Sequence, residues 1–223
     1  MSSTPRHSLG KRLIYDFFRV ICRLIGVVFY RVRVRGREHW PTSEGALVCA
    51  NHQSFIDPVL VGLCCERRMN YLARKSLFKV AAFRWLIELL DAIPVDLEGS
   101  GFAGLKETLK RLKWGEFVLI FPEGTRTPNG ALSPLRPGFL AVARKAKVPL
   151  VPVLFDGLYQ AWPRSQRLPG WGTVHVEIGE PIGPERIAQL SDEELLTEME
   201  SRMRTLLARV RRERAYAVGL ESP

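Results

Sequence analysis

Between Leu9 and Tyr30 the polar residues Arg12, Asp16, Arg19 and Arg23 recur at helical spacing, and Leu13, Ile14, Phe17, Phe18, Val20, Ile21, Leu24, Ile25, Val27 and Val28 fill the positions between them. This predicts a helix with one narrow charged stripe. Its apolar face is wider than packing on a small core requires, the pattern of a helix lying in a membrane interface; packing of that face on the protein's own domain is the alternative. Arg31-Val32-Arg33-Val34-Arg35 alternates with period two and predicts a strand with one basic face. Apolar runs then predict strands at 46–50, 70–73, 92–96, 116–121, 148–154 and 173–178. Helices fit at 58–67, 77–90, 102–113 and 138–146, the third with Phe102, Leu105, Leu109 and Leu112 on one face. Ser191-Asp192-Glu193-Glu194 has the form of a capping box and opens a last helix with Leu195, Leu196, Met199, Met203, Leu206, Leu207 and Val210 as its stripe. The alternation of strand and helix predicts an α/β fold: a single open, mostly parallel sheet covered by helices, preceded by the interfacial amphipathic helix.

The 223 residues suit one large domain, and 46% hydrophobic with 25% charged residues is the composition of a globular chain. The net charge of +10 is uneven: residues 1–40 carry nine Lys or Arg against Asp16 and Glu38. A basic end of this kind attracts anionic lipid, nucleic acid or phosphorylated ligands. No RNA-recognition, zinc or helix-turn-helix pattern supports nucleic acid as the partner. No uninterrupted apolar run approaches the roughly 18 to 20 residues needed to span a bilayer. Cys22, Cys49, Cys64 and Cys65 lie in apolar stretches without C-x-x-C spacing, which argues against a metal site or disulfide framework and for a reducing compartment.

Four histidines are present, and His7, His39 and His175 have ready structural explanations in a polar tail, a turn and a strand face. His52 follows the apolar run Ala46–Ala50, and Asp57 stands five residues on, before Pro58. An imidazole at a strand end with a carboxylate nearby can be a general base and its orienter. The same residues also fit a loop histidine and a helix N-cap. A second apolar run, Glu116–Phe121, enters Pro122-Glu123-Gly124-Thr125-Arg126 and the turn Pro128-Asn129-Gly130. There glycine permits close backbone approach, threonine offers a hydroxyl and arginine a two-pronged donor, a set that suits a phosphate monoester, although a solvated turn has the same composition.

Asn51-His52-Gln53-Ser54-Phe55-Ile56-Asp57, followed by Phe121-Pro122-Glu123-Gly124-Thr125-Arg126, resembles the 1-acylglycerol-3-phosphate acyltransferase family. The similarity extends through Leu72–Phe78, Ala92–Asp96 and Val148–Val153 and covers roughly residues 40–160. It implies that His52, oriented by Asp57, deprotonates the free hydroxyl of 1-acyl-sn-glycerol-3-phosphate as that hydroxyl attacks an acyl-CoA or acyl carrier protein thioester, giving phosphatidic acid. It further implies that Glu123, Gly124, Thr125 and Arg126 hold the acceptor, that no cofactor or metal takes part, and that the protein works peripherally on the anionic, cytoplasmic side of a membrane. On this reading residues 1–35 are the membrane-interface segment and 36–223 the catalytic domain. Lys75 and Lys79 are further candidates for phosphate contacts. Many family members carry arginine where this chain has Leu97, so another lysophospholipid or a lyso-aminolipid is the alternative acceptor, with Arg136 a candidate substitute for the charge. A hydrolase with a G-x-S-x-G elbow is excluded because that string does not occur. A non-catalytic basic membrane-binding module is the reading from another class.

Overall fold

The computed structural model describes residues 9–79, 84, 87, 92–95, 102–166 and 168–219. Helix α1 (Leu9–Tyr30) leads into strand β1 (Arg33–Arg35), followed by β2 (Ala46–Ala50), α2 (Asp57–Cys64), β3 (Met69–Arg74), β4 (Ile93–Val95) and α3 (Phe102–Lys113). Strand β5 (Phe117–Ile120), α4 (Gly138–Ala146), β6 (Leu150–Asp156), α5 (Leu158–Ala161), β7 (His175–Ile178), α6 (Pro184–Gln189) and α7 (Asp192–Ala217) complete the chain. Most of the helix predicted at 77–90 and residue Leu97 lie outside the described residues.

The seven strands form one sheet in the order β1-β7-β6-β2-β5-β3-β4. Every described pairing is parallel except β6 with β7, which run antiparallel. Strand β2 lies between β5 and β6 and is buried along its whole length. Its uninterrupted run of small and branched residues is the signature of a parallel strand covered on both faces. Leu47 and Cys49 face a core built with Leu140, Met199 and Met203, whereas Ala46, Val48 and Ala50 face Val61, Met69 and Phe155. Ser191 Oγ accepts from Glu194 N while the Glu194 carboxylate accepts from Ser191 N, so the capping box opens α7 as the sequence indicates. Arg33–Arg35 pair with His175–Glu177, so the chain joins the sheet before residue 36.

Helix α1 is turned inside out relative to an ordinary surface helix. Arg19 donates to the carbonyls of Cys65 and Glu66, and Arg23 to that of Leu63, fixing these two members of the charged stripe against the end of α2. Tyr15 and Tyr30 are buried on the same side. Leu13, Phe17, Val20, Leu24, Val27 and Val28 face outward, each more than half exposed. No described helix is long and apolar enough to cross a membrane.

Candidate active site

The carboxyl ends of β2 and β5 lie side by side, so the loops that follow them meet. This is where open α/β sheets place their sites. Asn51 extends the β2–β6 pairing with its side chain, donating to Phe155 O at 2.8 Å and accepting from Phe155 N at 3.0 Å. The next residue, His52, is fixed through its own backbone: its N–H donates to Glu123 Oε1 at 2.7 Å, and its carbonyl accepts from Thr127 N at 2.8 Å. The imidazole stacks on Phe121 with centroids 4.0 Å apart.

His52 Nδ1 lies 2.6 Å from Asp57 Oδ2. A carboxylate there holds the proton on Nδ1 and leaves the Nε2 lone pair free to accept another. The same oxygen accepts from Gln53 N at 2.6 Å and Ser54 N at 2.7 Å. Asp57 is the first residue of α2 and makes no side-chain cap to the helix; Ile56 occupies the N-cap position. The expectation of an Asp57 N-cap is therefore corrected: the carboxylate reaches back into the preceding loop, whose two amides and imidazole compete successfully for it. Burial pushes the fully buried Asp57 carboxyl up, and the contacts with His52, Ser54 and Gln53 pull against it.

The sequence grouped Glu123 with Gly124, Thr125 and Arg126 as acceptor-binding residues, and the structure divides the set. Glu123 is buried, with one carboxylate oxygen accepting from His52 N and the other from Ser133 N at 2.8 Å. It works as a strut between loops, and its burial pushes the carboxyl up. Gly124 and Thr125 are exposed. Gly124 has φ +73, and a Cβ there would stand 2.8 Å from Arg136 Nε, so the glycine leaves room for an exposed arginine across the loop. The Arg126 guanidinium lies over the Phe55 ring at 3.5 Å, placing a second cation beside the His52 loop. Lys75 and Lys79 are exposed on the 3-10 turn that follows β3.

Sequence reasoning missed the second layer. Gln53 accepts from Tyr159 N at 3.2 Å and reaches Gly130 O and Asp156 Oδ1 at 3.4 Å each. Asp156 in turn pairs with Arg211 and Arg214, tying α7 to the His52 loop through Gln53. The adjacency of Asn51 and Gln53 to His52 was the available signal. Cys49 is buried and its thiol is pushed far up by burial, which suits a core residue and not a nucleophile.

An acyltransferase family model matches residues 31–156. The chain is 33% identical over 170 residues to the 1-acyl-sn-glycerol-3-phosphate acyltransferase of Bacillus subtilis, covering 75% of this chain and 82% of that protein. Against the enzyme of the same name from Pseudomonas aeruginosa it is 34% identical over 174 residues, covering 72% and 65%. It spans about half, 54%, of a chloroplastic relative from Brassica napus. The crystal structure of the 1-acyl-sn-glycerophosphate acyltransferase from Thermotoga maritima superposes with a TM-score of 0.76 at 29% identity, covering 88% of this chain and 79% of that one. The chain belongs to the acyltransferase family, and its His52–Asp57 pair stands within the matched segment.

Proposed function

We propose that this enzyme transfers a fatty acyl group from an acyl-CoA or acyl carrier protein thioester to the free hydroxyl of 1-acyl-sn-glycerol-3-phosphate, giving phosphatidic acid. The observation that carries the reading is the His52–Asp57 contact at 2.6 Å, on a loop that Glu123 ties to the one bearing Gly124 and Arg126, with Arg136 against Gly124. The names of the relatives and the two cations support a phosphorylated acceptor. In the reaction His52 Nε2 takes the proton of the acceptor hydroxyl while its oxygen bonds to the thioester carbonyl carbon. The tetrahedral adduct then expels the thiolate, the carbon–sulfur bond breaks, and the imidazolium returns the proton to sulfur. No acyl-enzyme forms. A base so placed contributes on the order of 10² to 10⁴ in rate, and orientation of the acceptor by Arg126 and Arg136 adds to this.

The outward apolar face of α1 suits a peripheral position on the cytoplasmic side of the membrane, where the acceptor lipid resides. Residues 1–35 then serve as the interface segment and 36–223 carry the chemistry, with β1 making the transition. Thiol release and lipid product are the test, using both donors and a panel of lysophosphatidic acid, other lysophospholipids and a lyso-aminolipid. Phosphatidic acid as the main product is expected. A preference for an acceptor without a terminal phosphate would overturn the assignment of Arg126.

A further inference from the structure

We infer that the loop joining α5 to β7 is a second membrane-docking element, which inserts Leu168 and Trp171 into an anionic bilayer and holds the catalytic loop at its surface. The inference rests on the proposed lipid-acylating activity and extends it to the way the site meets its substrate.

The loop is a strap between the His52–Asp57 loop and the end of α1. At one end the Trp162 carbonyl accepts from Ser54 Oγ at 2.8 Å, and the Trp162 ring packs near Phe55, centroids 6.2 Å apart. Ser54 and Phe55 belong to the His52–Asp57 loop, and Phe55 carries Arg126 on its face. At the other end Trp171 stacks on Phe29 at 4.3 Å, and Gly172 N donates to Phe29 O at 3.1 Å, which pins the strap to the last turn of α1. Between them Gly170 N donates to Ala161 O at 2.7 Å, drawing the strap back on itself.

Drawn back in this way, the strap turns its apolar side chains outward. Leu168 is 79% and Trp171 70% exposed, and Phe55 at the far end is 58% exposed. They continue the outward face of α1, where Leu24, Val27, Val28 and Phe29 are exposed. Arg31, Arg33 and Arg164 are exposed around the same features, in a chain of net charge +10. Exposed tryptophan and leucine flanked by arginine match the chemistry of the boundary between headgroups and acyl chains. A protein partner would meet the same apolar atoms, but it does not account for their continuity with a helix whose Arg19 and Arg23 are bonded to the protein while its apolar face turns outward.

The full chain is tested with phosphatidylcholine vesicles, with and without phosphatidylglycerol. The Leu168→Ser, Trp171→Ser double variant is expected to keep wild-type turnover on a short-chain lysophosphatidic acid dissolved as monomer. On vesicle-embedded acceptor it is expected to lose on the order of 10- to 100-fold, with a parallel loss in flotation, as removal of two interfacial side chains implies. Equal losses on both acceptors, or none on vesicles, would overturn the inference. Trp171→Phe supplies a readout independent of turnover: lipids brominated in the acyl chain should quench wild-type fluorescence more than that of the variant. Equal quenching contradicts insertion and leaves the face to a protein partner. If wild type turns over no acceptor, the activity reading fails, while flotation and quenching still decide the docking element.

Discussion

Asp57→Asn removes a charge and almost no volume. The amide oxygen of the variant still accepts from Gln53 N and Ser54 N, which bind the native carboxylate at 2.6 and 2.7 Å, so the loop keeps its shape. The partner that suffers is His52, whose Nδ1 is 2.6 Å from the same oxygen. As the imidazole becomes imidazolium in the transition state, a neutral amide replaces an anion beside it. Two charges about 4 Å apart interact by about 4 kcal/mol at an effective dielectric constant of about 20. A loss of about 3 to 5 kcal/mol in the barrier therefore follows, a fall in turnover on the order of 10² to 10⁴. Stability moves the other way. Burial already pushes the Asp57 carboxyl up, meaning that the fold disfavours the ionised form, so the variant should melt at the wild-type temperature or above it at neutral pH. Thiol release and thermal unfolding on the same preparation check both statements. Turnover within roughly threefold of wild type would refute the orienting role, and a collapse of the melting transition would show that Asp57 is chiefly structural.

Both buried carboxyls near His52 are raised from their ordinary values of 3.8 for Asp57 and 4.5 for Glu123. A raised carboxyl holds its proton more tightly in the fold than in the unfolded chain. Its stability contribution is full below about pH 4 and is lost as pH rises through the native value, so Asp57→Asn should flatten the decline measured by denaturant titration above that pH. Gly124→Ala should cost about 1 kcal/mol for an L side chain at φ +73 and displace Arg136, raising KM for the phosphorylated acceptor more than it lowers kcat; unchanged KM would separate Arg136 from the acceptor. Glu123→Gln leaves one of the two amide donors, His52 N or Ser133 N, facing an NH2 group, and should destabilise by about 1 to 3 kcal/mol while slowing turnover. Iodoacetamide should leave native turnover intact at mildly alkaline pH because Cys49, Cys64 and Cys65 are buried with raised thiols; rapid inactivation would reopen the question of an acyl-enzyme.

Much of this arrangement is legible in the sequence because the sheet is buried on both faces. Ala46–Ala50 and Phe117–Ile120 read directly as strands, and the loops after them had to lie at one edge once the strands were parallel neighbours. Periodicity also identified the charged stripe of α1, but it reports which residues share a face and not which way the face turns. Arg19 and Arg23 face the protein because the carbonyls of Leu63, Cys65 and Glu66 at the end of α2 accept from them, a contact nearly fifty residues distant in the chain for Arg19. The contacts of Glu123 are hidden from the sequence for a related reason. A carboxylate in a polar loop suggests contact with substrate, and only the tertiary contact with His52 N reveals a strut. The stretch from Trp162 to Trp171 carries no periodic signal, since Pro163, Pro169 and Gly170 interrupt any alternation of apolar and polar residues.

The central claim is that His52 is the base. Its most direct test is thiol release by His52→Ala with lysophosphatidic acid and a thioester donor, beside wild type, after circular dichroism and vesicle flotation have shown both proteins folded and bound alike. The variant is expected to lose at least about 10²-fold in turnover with binding unchanged. Full turnover would contradict it.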